Sequence, residues 1–412
     1  MIPFNPYESV APFARPLYVM LKPVGSRCNL ACRYCYYQDK GIALLSEELL
    51  EEFTRQYLEA QTMPQVLFTW HGGEPLLRPL SFYKKALELQ RRYGRGLQID
   101  NCLQTNGTLL TDEWCQFLHD NNFLVGISID GPQHIHDTYR HAKSTAASVA
   151  PEAIVAPAAP AATWETVMRG IALLQKYGVQ WNAMATVNAA NVGHPVEFYR
   201  FFRDIGCEFL QFTPVVERSV ERGERTAEVQ DYSVTPAQWG RFLCAVYNEW
   251  VQRDVGRLFV QLFDATLANW VGVPPGICSM SPTCGQAAVM EADGSVYSCD
   301  HFVYPKYRLG NIRRRTLTEL LYGEQQRHFG RQKRDALPRQ CRECRFLFAC
   351  HGECPKNRFA TDCYGEPGLN FLCEGYRQFF SHVAADMDYM AAELRAGRSP
   401  ANIMRSKVKH KR

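Results

Sequence analysis

The stretch that most constrains this chain reads Ser26-Arg27-Cys28-Asn29-Leu30-Ala31-Cys32-Arg33-Tyr34-Cys35-Tyr36-Tyr37. Its three cysteines stand in the spacing C-x3-C-x2-C, with an aromatic residue directly before the last one. Thiolates in this pattern can bind three irons of a four-iron cluster and leave the fourth iron without a protein ligand. Because a site that does chemistry keeps such a position open, the stretch predicts a reactive centre. A zinc site or a disulfide with accidental spacing is the alternative.

Length and composition leave room for such a centre. The chain has 412 residues, of which 46% are hydrophobic, and this predicts a large domain plus a smaller one. The formal net charge of +4 indicates no nucleic-acid partner, and no apolar run of about 18 residues free of charge or proline predicts a membrane span. Sixteen cysteines without a signal peptide in the first 27 residues indicate a reducing, cytoplasmic compartment.

Apolar strands alternate with amphipathic helical patterns up to residue 254, which predicts an α/β fold with a parallel sheet covered by helices. Ser46 and Thr111, each followed by two acidic residues, are the expected starts of two of the helices. We expect strands at 16–22, 65–70, 97–104, 123–129, 179–187 and 207–213, and helices at 46–61, 79–93, 111–120, 164–177, 195–205 and 235–254.

Two further motifs stand at strand ends. Trp70-His71-Gly72-Gly73-Glu74-Pro75 follows the second strand, and Gly126-Ile127-Ser128-Ile129-Asp130-Gly131-Pro132 closes the fourth. With the cysteine triplet, these motifs resemble those of the radical S-adenosylmethionine (SAM) enzymes. The resemblance implies a partial (β/α)6 barrel with its site at the carboxyl ends of the strands. It also implies a four-iron cluster on Cys28, Cys32 and Cys35, whose open iron holds SAM and cleaves it to a 5′-deoxyadenosyl radical.

The same resemblance assigns individual contacts. An arginine such as Arg140 suits bidentate pairing with the SAM carboxylate, although a solvated surface position is the alternative for it. Without the triplet upstream, Gly72 to Glu74 would be an ordinary turn; Gln104 could instead cap a loop and His71 could serve packing. The implied SAM contacts are Tyr34, Gly72, Gly73, Glu74, Ser128, Arg140 and Leu210, and the implied peptide contacts are Tyr37, His71 and Gln104.

The second half of the chain is rich in cysteine. Eight thiolates make two complete sets of four, which resembles the SPASM extension of radical SAM enzymes with its two auxiliary four-iron clusters. A pair of zinc ribbons is the alternative. Cys363 could replace an assigned ligand, whereas Cys102, Cys115, Cys207 and Cys244 are expected to be buried apolar residues. The resemblance assigns Cys278, Cys284, Cys299 and Cys354 to the first cluster and Cys341, Cys344, Cys350 and Cys373 to the second.

Asp300 directly follows one of these cysteines, in Gly294-Ser295-Val296-Tyr297-Ser298-Cys299-Asp300. This segment, with Leu103-Gln104-Thr105-Asn106-Gly107-Thr108 and Arg308-Leu309-Gly310-Asn311-Ile312, resembles the anaerobic sulfatase-maturating enzymes over nearly the whole chain. The family implies oxygen-independent oxidation of a sulfatase cysteine or serine to Cα-formylglycine, with Asp300 as general base; a turn-capping aspartate is the alternative. Implied partners are an unfolded or nascent sulfatase bearing Cys/Ser-x-Pro-x-Arg and a flavodoxin- or ferredoxin-type electron donor, with the enzyme itself a monomer.

We expect a barrel over 1–257 with an Ala/Pro-rich insertion at about 144–163, a SPASM domain with a C-terminal helix over 258–390, and a basic, disordered tail over 391–412. Three other functions stay open. A SPASM enzyme that cross-links or epimerises a peptide often has an extra leader-binding domain, for which a first strand near residue 16 leaves no space. The others are a small-molecule SPASM oxidoreductase and a noncatalytic zinc-binding module, which would give the open triplet no purpose.

Overall fold

A computed structural model of the protein describes residues 17–38, 40–143, 161–221 and 224–409. The six expected β/α units are present in the expected order, and their bounds agree to within about three residues. Most of the expected insertion, residues 144–160, lies outside the described residues. The strands are β1 (Val19–Leu21), β2 (Gln65–Trp70), β3 (Gln98–Thr105), β4 (Phe123–Ser128), β5 (Trp181–Val187) and β6 (Phe209–Pro214), and the helices are α1 (Glu47–Glu59), α2 (Leu80–Tyr93), α3 (Asp112–Asp120), α4 (Gln133–Tyr139), α5 (Trp164–Lys176), α6 (Pro195–Asp204) and α7 (Pro236–Arg253).

Helix starts follow from local side-chain chemistry. The hydroxyls of Ser46 and Thr111 accept hydrogen bonds from backbone N–H groups in the first turns of α1 and α3, as expected from the sequence. Thr235 and Gln238 form a reciprocal capping box at the start of α7, with Pro236 in the first turn. Each cap satisfies backbone donors that a helix leaves unpaired, so these helices begin at defined residues beside the sheet.

Strands β1 to β6 pair in parallel, and their alternation separates two faces. Leu103, Val125 and Ala183 share the apolar face and lie under the helices, each 0% exposed. The neighbouring positions Gln104 and Ser128 belong to the opposite face, which lines the barrel interior. Polar side chains are thereby gathered inside the barrel, at the carboxyl ends of the strands.

The remaining elements extend this sheet. Strand β9 (Phe259–Val260) pairs with β6, and strand β10 (Ala288–Met290) pairs in parallel with β1. With β11 (Ser295–Tyr297) and β12 (Arg308–Asn311), one ten-stranded sheet runs in the order β12-β11-β10-β1-β2-β3-β4-β5-β6-β9. The part of the chain with the eight later cysteines is therefore joined directly to the barrel. These elements are β7 (Arg218–Glu221), β8 (Glu224–Val229), β9 (Phe259–Val260), α8 (Gln261–Val271), β10 (Ala288–Met290), β11 (Ser295–Tyr297), β12 (Arg308–Asn311), α9 (Leu317–Leu321), α10 (Glu324–Asp335), α11 (Arg339–Arg342), α12 (Leu347–Cys350), β13 (Ala360–Thr361), β14 (Pro367–Leu369), α13 (Cys373–Arg395) and α14 (Ile403–Lys409).

The long C-terminal helix α13 docks on the barrel helix α7 through two glycines. A side chain at Gly375 would meet the carbonyl oxygen of Pro236 at 2.3 Å, and one at Gly240 would lie 3.0 Å from the Cα of Gly375. Only glycine permits this close approach of two helix backbones. Trp239 of α7 and Phe379 of α13 are both fully buried beside the contact, so the expected C-terminal helix is an integral part of the core.

The expectation of a disordered tail over 391–412 is wrong for the residues that the structure describes. Helix α13 continues through Arg395, and α14 follows after a short 3₁₀ turn. Glu393 fixes the connection, because Arg398 Nη2 donates to its Oε1 at 2.5 Å, and Ile403 is only 2% exposed. Apolar periodicity is missing here because a seven-residue helix whose described part buries one aliphatic side chain has too few positions to show it.

The leftover cysteines divide into three groups. Cys115 and Cys207 are buried in the core, as expected. Cys102 and Cys244 are only half-buried, and Cys363 is exposed. Among the described residues, no helix is long and apolar enough to cross a membrane.

Candidate active site

The cysteine triplet lies in the loop that follows β1, at the carboxyl end of the sheet. The backbone N–H of Leu30 donates to Cys28 Sγ at 3.3 Å, and Asn106 Nδ2 lies 3.7 Å from the same sulfur. Burial raises the pKa of the Cys32 thiol to about 11, although Arg140 opposes the effect, and the thiols of Cys35 and Cys28 add to it. The three thiols thus lie within electrostatic reach of one another, and bound iron would have to displace their protons.

The paired glycines after β2 pack directly on the cysteine loop. Gly73 N–H donates to the carbonyl of Gly25 at 2.8 Å, and Glu74 N–H donates to that of Arg27 at 2.7 Å. A side chain at Gly73 would lie 1.9 Å from the Arg27 carbonyl oxygen, and Gly72 has a φ of 124°. These two positions therefore require glycine, and their backbone is held against the triplet.

The side chain of Glu74 is used entirely within the protein. Its Oε1 accepts hydrogen bonds from Leu76 N–H at 2.9 Å and from the Thr105 hydroxyl at 2.8 Å, and its Oε2 accepts from Asn106 N–H at 2.8 Å. Full burial raises the pKa of this carboxyl to about 7. Glu74 thus ties the end of β2 to the end of β3.

Arg140 is buried, and the alternative that placed it on the solvated surface is wrong. Its Nε donates to Asp130 Oδ2 at 3.0 Å and its Nη2 to Asp130 Oδ1 at 3.3 Å, while its Nη1 lies 4.0 Å from Cys32 Sγ. The Tyr34 hydroxyl also donates to Asp130. Although burial opposes it, Arg140 lowers the pKa of Asp130. Tyr34 and Arg140 therefore share a carboxylate, and one guanidinium nitrogen is directed toward the triplet.

Gln104 and Ser128 meet inside the barrel. Gln104 Nε2 donates to the Ser128 hydroxyl at 2.9 Å, and a side chain at Gly126 would lie 2.0 Å from Gln104 Oε1. Leu210 differs from both, because it pairs with Ala183 on the helix-facing side of the sheet and is 1% exposed. Strand alternation turns the Leu210 side chain into the core, so the expected SAM contact at Leu210 would fall to its backbone and stays a prediction.

Asp300 lies beside the ends of β1 and β2, far from them in sequence. Its carboxylate pairs with Lys22, with Nζ and Oδ1 2.5 Å apart, and accepts a hydrogen bond from the Tyr36 hydroxyl. The Lys22 side chain is 0% exposed and that of Asp300 is 16% exposed. Although burial opposes it, the Lys22 ammonium lowers the pKa of Asp300 well below its usual range. The site therefore holds an oriented, anionic carboxylate.

Two of the three residues expected to contact peptide, His71 and Tyr37, lie beside this ion pair, whereas Gln104 pairs with Ser128. Lys22 Nζ lies 3.4 Å from His71 Nδ1 and 4.2 Å from the centre of the Tyr37 ring. The same His71 Nδ1 accepts a hydrogen bond from Gly72 N–H at 2.7 Å. The Tyr37 hydroxyl donates to both oxygens of Glu291, at 2.5 and 2.6 Å. Burial lowers the pKa of His71 to about 3, with Lys22 adding to the effect. His71 is therefore a neutral group within a charged cluster.

Sequence reasoning missed Lys22 and Glu291. Lys22 follows Met20 on the interior face of β1, and Glu291 follows Val289 in the same way on β10. A charged residue at the end of a short apolar strand is the signal that could have found both. Nothing in the sequence could have shown that they flank Asp300, because β10 becomes the neighbour of β1 only in the folded sheet.

The first set of later cysteines is brought together by several elements. Burial, then the carboxylate of Asp300 and the thiols of Cys278 and Cys284, raise the pKa of Cys299. Burial, then Glu353 and the thiols of Cys299 and Cys278, raise that of Cys354. Cys278, Cys284, Cys299 and Cys354 thus lie within electrostatic reach of one another, next to Asp300.

The second set lines a cavity of about 600 Å³. Burial raises the pKa of the Cys350 thiol, and Glu353 and the thiols of Cys373 and Cys341 add to the effect. Burial also raises the pKa of the Cys373 thiol to about 11, and the thiols of Cys341 and Cys344 add to it. Cys363 also lines this cavity but is exposed, and its N–H donates to Gln340 Oε1 at 3.1 Å. The structure therefore groups Cys341, Cys344, Cys350 and Cys373 and places Cys363 at their edge.

The donor chemistry of both sets fits an anionic cluster. Each set offers four thiols, and a four-iron cluster binds one thiolate per iron. Two cations face these thiols, the fully buried Lys333 and the half-buried Arg358. A buried cation requires nearby negative charge, which thiolate ligands would supply.

Comparison with known proteins places these features in context. Residues 23–202 match the Radical SAM superfamily, and residues 281–345 match the SPASM iron-sulfur cluster-binding domain. A serine-type anaerobic sulfatase-maturating enzyme of Bacteroides thetaiotaomicron is 55% identical, with 96% of each chain covered. A cysteine-type enzyme of Clostridium perfringens is 31% identical over 89% of this chain and 96% of its own. Native anSMEcpe with bound AdoMet (SAM) and Cp18Cys peptide has a TM-score of 0.80 at 32% identity, covering 92% of this chain and 99% of that one.

Proposed function

Because the chain belongs to the anaerobic sulfatase-maturating enzymes of the radical SAM superfamily, we propose that it oxidises a serine in preference to a cysteine of its sulfatase target. It is a radical SAM enzyme that forms Cα-formylglycine, and the expected family and activity are confirmed. The identity to the serine-type relative, 55%, against 31% to the cysteine-type one supports the preference for serine.

We assign the iron ligands as three groups. The cofactors of the family are SAM and iron–sulfur clusters, and we propose three four-iron clusters in this chain. The mutual electrostatic contacts of the thiols and the cations beside them support this count. The proposed ligands are Cys28, Cys32 and Cys35 for the SAM cluster, Cys278, Cys284, Cys299 and Cys354 for the first auxiliary cluster, and Cys341, Cys344, Cys350 and Cys373 for the second.

We propose that SAM is held at the ends of β2, β4 and α4. The backbone of Gly72 and Gly73 lies against the triplet, the Ser128 hydroxyl lies on the barrel interior, and one guanidinium nitrogen of Arg140 is directed toward Cys32. Tyr34 and Glu74 support these groups from within the protein. The buried Asp130–Arg140 pair fixes the guanidinium before SAM arrives, which reduces the ordering cost of binding.

Asp300 is the proposed general base. With SAM and the clusters bound, the site supplies a 5′-deoxyadenosyl radical that takes one hydrogen atom from the target Cβ and an oxidised cluster that takes one electron. Asp300 must accept the hydroxyl proton, and these three losses convert a serine to an aldehyde. The observation that carries the proposal is the Lys22–Asp300 pair, which keeps the carboxylate anionic and oriented beside Cys299. His71 and Tyr37 border the same space and are the proposed peptide contacts.

The test uses the reconstituted protein under anaerobic conditions with two short peptides, bearing Ser-x-Pro-x-Arg or Cys-x-Pro-x-Arg. Mass spectrometry should show aldehyde in the serine peptide at the higher rate. Asp300→Asn should still form 5′-deoxyadenosine but lose aldehyde, whereas Asp204→Asn, an exposed carboxylate on α6, should behave as the unchanged protein. Full aldehyde formation by Asp300→Asn would remove Asp300 as the base, and faster conversion of the cysteine peptide would reverse the proposed preference.

Further assignments concern partners and compartment. We propose that the substrate is an unfolded or nascent sulfatase segment, because a buried carboxylate can reach only an extended chain. A flavodoxin- or ferredoxin-type donor is proposed as the source of the electron that cleaves SAM, and a monomer as the working form. The number of reduced thiols supports a cytoplasmic location, where they remain available to iron.

A further inference from the structure

Two cations, Lys333 and Arg358, and one carboxylate, Glu353, form a charged seam between the two later cysteine sets. Lys333 of α10 is 1% exposed, and its Nζ donates to the carbonyls of Cys278 at 2.6 Å and Ser279 at 2.7 Å. Arg358 donates from Nη1 to the carbonyl of Lys333 at 2.5 Å and from Nε to that of Gly352 at 2.8 Å. Both positive side chains are therefore fixed by backbone carbonyls, and Arg358 is bound to the backbone of Lys333 itself.

The cations face different cysteines. Lys333 interacts electrostatically with Cys284, Cys278 and Cys354, which are three of the four thiols in the first set. Arg358 Nη2 donates to the carbonyls of His351 at 2.7 Å and Glu353 at 3.1 Å, in the segment that follows Cys350. Its charge acts on the thiols of Cys341 and Cys350 of the second set and on Cys284 of the first. Lys333 is thus associated with the first proposed auxiliary cluster, and Arg358 mainly with the second.

Glu353 supplies the opposite charge in the same seam. It is 6% exposed, stands between Cys350 and Cys354 in the sequence, and accepts a hydrogen bond from Asn370 Nδ2 at 2.7 Å. Two cations face this one carboxylate, so these three side chains together bring one net positive charge to the thiols. Charges in a buried site are only weakly screened, and the reduction potential of an iron–sulfur cluster depends on nearby charge and solvent exposure.

We propose that Lys333 and Arg358 are positioning charges that raise the reduction potentials of the first and second auxiliary clusters, and that Glu353 lowers them. The inference rests on the proposed cluster assignment. A cluster that gains an electron gains negative charge, and a fixed neighbouring cation stabilises that reduced form. The first auxiliary cluster, next to Asp300, would then be poised to take the electron that the oxidised target residue releases. The cluster is reduced by one electron and the carbon centre is oxidised by one, so the step balances.

The experiment measures reduction potentials rather than activity. Redox titration followed by electron paramagnetic resonance would use the full chain with Cys28, Cys32 and Cys35 changed to alanine, so that only auxiliary clusters contribute. Lys333→Gln keeps an amide donor for the two carbonyls but removes the charge. The solution potential is set to the midpoint of the first auxiliary cluster in the parent protein. At that potential, the ratio of reduced to oxidised cluster in Lys333→Gln should be at least tenfold lower, which corresponds to 59 mV for a one-electron couple. Lys333→Arg should stay near the parent value.

Two more variants make the test decisive. Glu353→Gln should change the ratio in the opposite direction, toward the reduced form, which damage to the fold would not produce. Arg331→Gln is the matched control, because Arg331 is on the same helix but 45% exposed. For either cluster, its reduced-to-oxidised ratio should differ from that of the parent protein by no more than about threefold, roughly 0.6 kcal/mol.

The outcomes separate clearly. Unchanged midpoints in Lys333→Gln with full iron content would overturn the proposal. If Lys333→Gln loses iron, Glu353→Gln decides, and a midpoint that is unchanged or lower would also overturn it. The titration uses neither SAM nor peptide. Failure of the unchanged protein to oxidise a serine peptide would therefore count against the proposed function and leave the measured midpoints as they stand.

Discussion

Replacing Lys22 by methionine should uncouple SAM cleavage from aldehyde formation. The Lys22 ammonium is fully buried, and its Nζ lies 2.5 Å from Asp300 Oδ1. Removing one partner of a buried ion pair leaves the other charge uncompensated, at a cost of about 3–5 kcal/mol. We expect the free energy of unfolding to fall by roughly that amount. Because Lys22 lowers the pKa of Asp300, its loss raises that pKa and favours the protonated acid, which cannot accept a proton.

The pH dependence has a defined sign. In the unchanged protein Asp300 stays ionised throughout the neutral pH range, because Lys22 lowers its pKa. Protonation of Asp300 therefore does not slow aldehyde formation at any pH in that range. In Lys22→Met, aldehyde formation should fall as the pH decreases through the raised pKa and should recover as the pH increases. A general base contributes typically ~10²- to 10⁴-fold, which bounds the loss.

The assay follows aldehyde and 5′-deoxyadenosine together, by mass spectrometry and chromatography, over a pH series. Lys22→Arg keeps the charge and is the matched control, for which we expect a smaller loss and no new acid limb. Equal iron content in the two variants would show that the triplet is intact. Aldehyde formation by Lys22→Met at the unchanged rate and with an unchanged pH profile would refute the reasoning.

Three further predictions concern the SAM side of the site. Gly73→Ala should lose iron from the SAM cluster, because its Cβ would lie 1.9 Å from a backbone carbonyl, whereas Gly193→Ala, with no atom within 4 Å, should retain full iron content. Glu74→Gln should lower the free energy of unfolding by about 1–3 kcal/mol, because its amide would face backbone donors; an unchanged denaturation midpoint would contradict this. Asp130→Asn should weaken SAM binding in equilibrium dialysis, because Arg140 loses its charged partner, and equal affinity would contradict the proposed role.

The β/α order was predictable because each strand and helix is long enough to show its own period. The helices that start at Ser46 and Thr111 were placed correctly by a capping hydroxyl and nearby acids. Shorter elements were missed for the opposite reason: α4 has only seven residues, and α14 buries a single aliphatic side chain in its described part. Elements of this size are defined by what they pack against rather than by their sequence pattern.

The site was predictable where one motif carries it and not where distant segments meet. Cys28 to Cys35 and Gly72 to Glu74 are local signals. The pairing of Lys22 with Asp300 depends on β10 lying beside β1. A strand of three residues has too little sequence pattern to predict its neighbour in the sheet. Leu210 illustrates a different limit, because the motif located the strand correctly, but only the register shows which face the side chain occupies.

The parallel contact of β1 with β10 also affects how the protein is made. On a ribosome, the amino end emerges first and domains begin to fold as they appear, but β1 obtains its second neighbour only after Met290 has been synthesised. Among the described residues, β10 is what covers that edge of β1, next to the loop that carries Cys28. The side of the sheet next to the cysteine triplet is therefore completed only by the last third of the polypeptide.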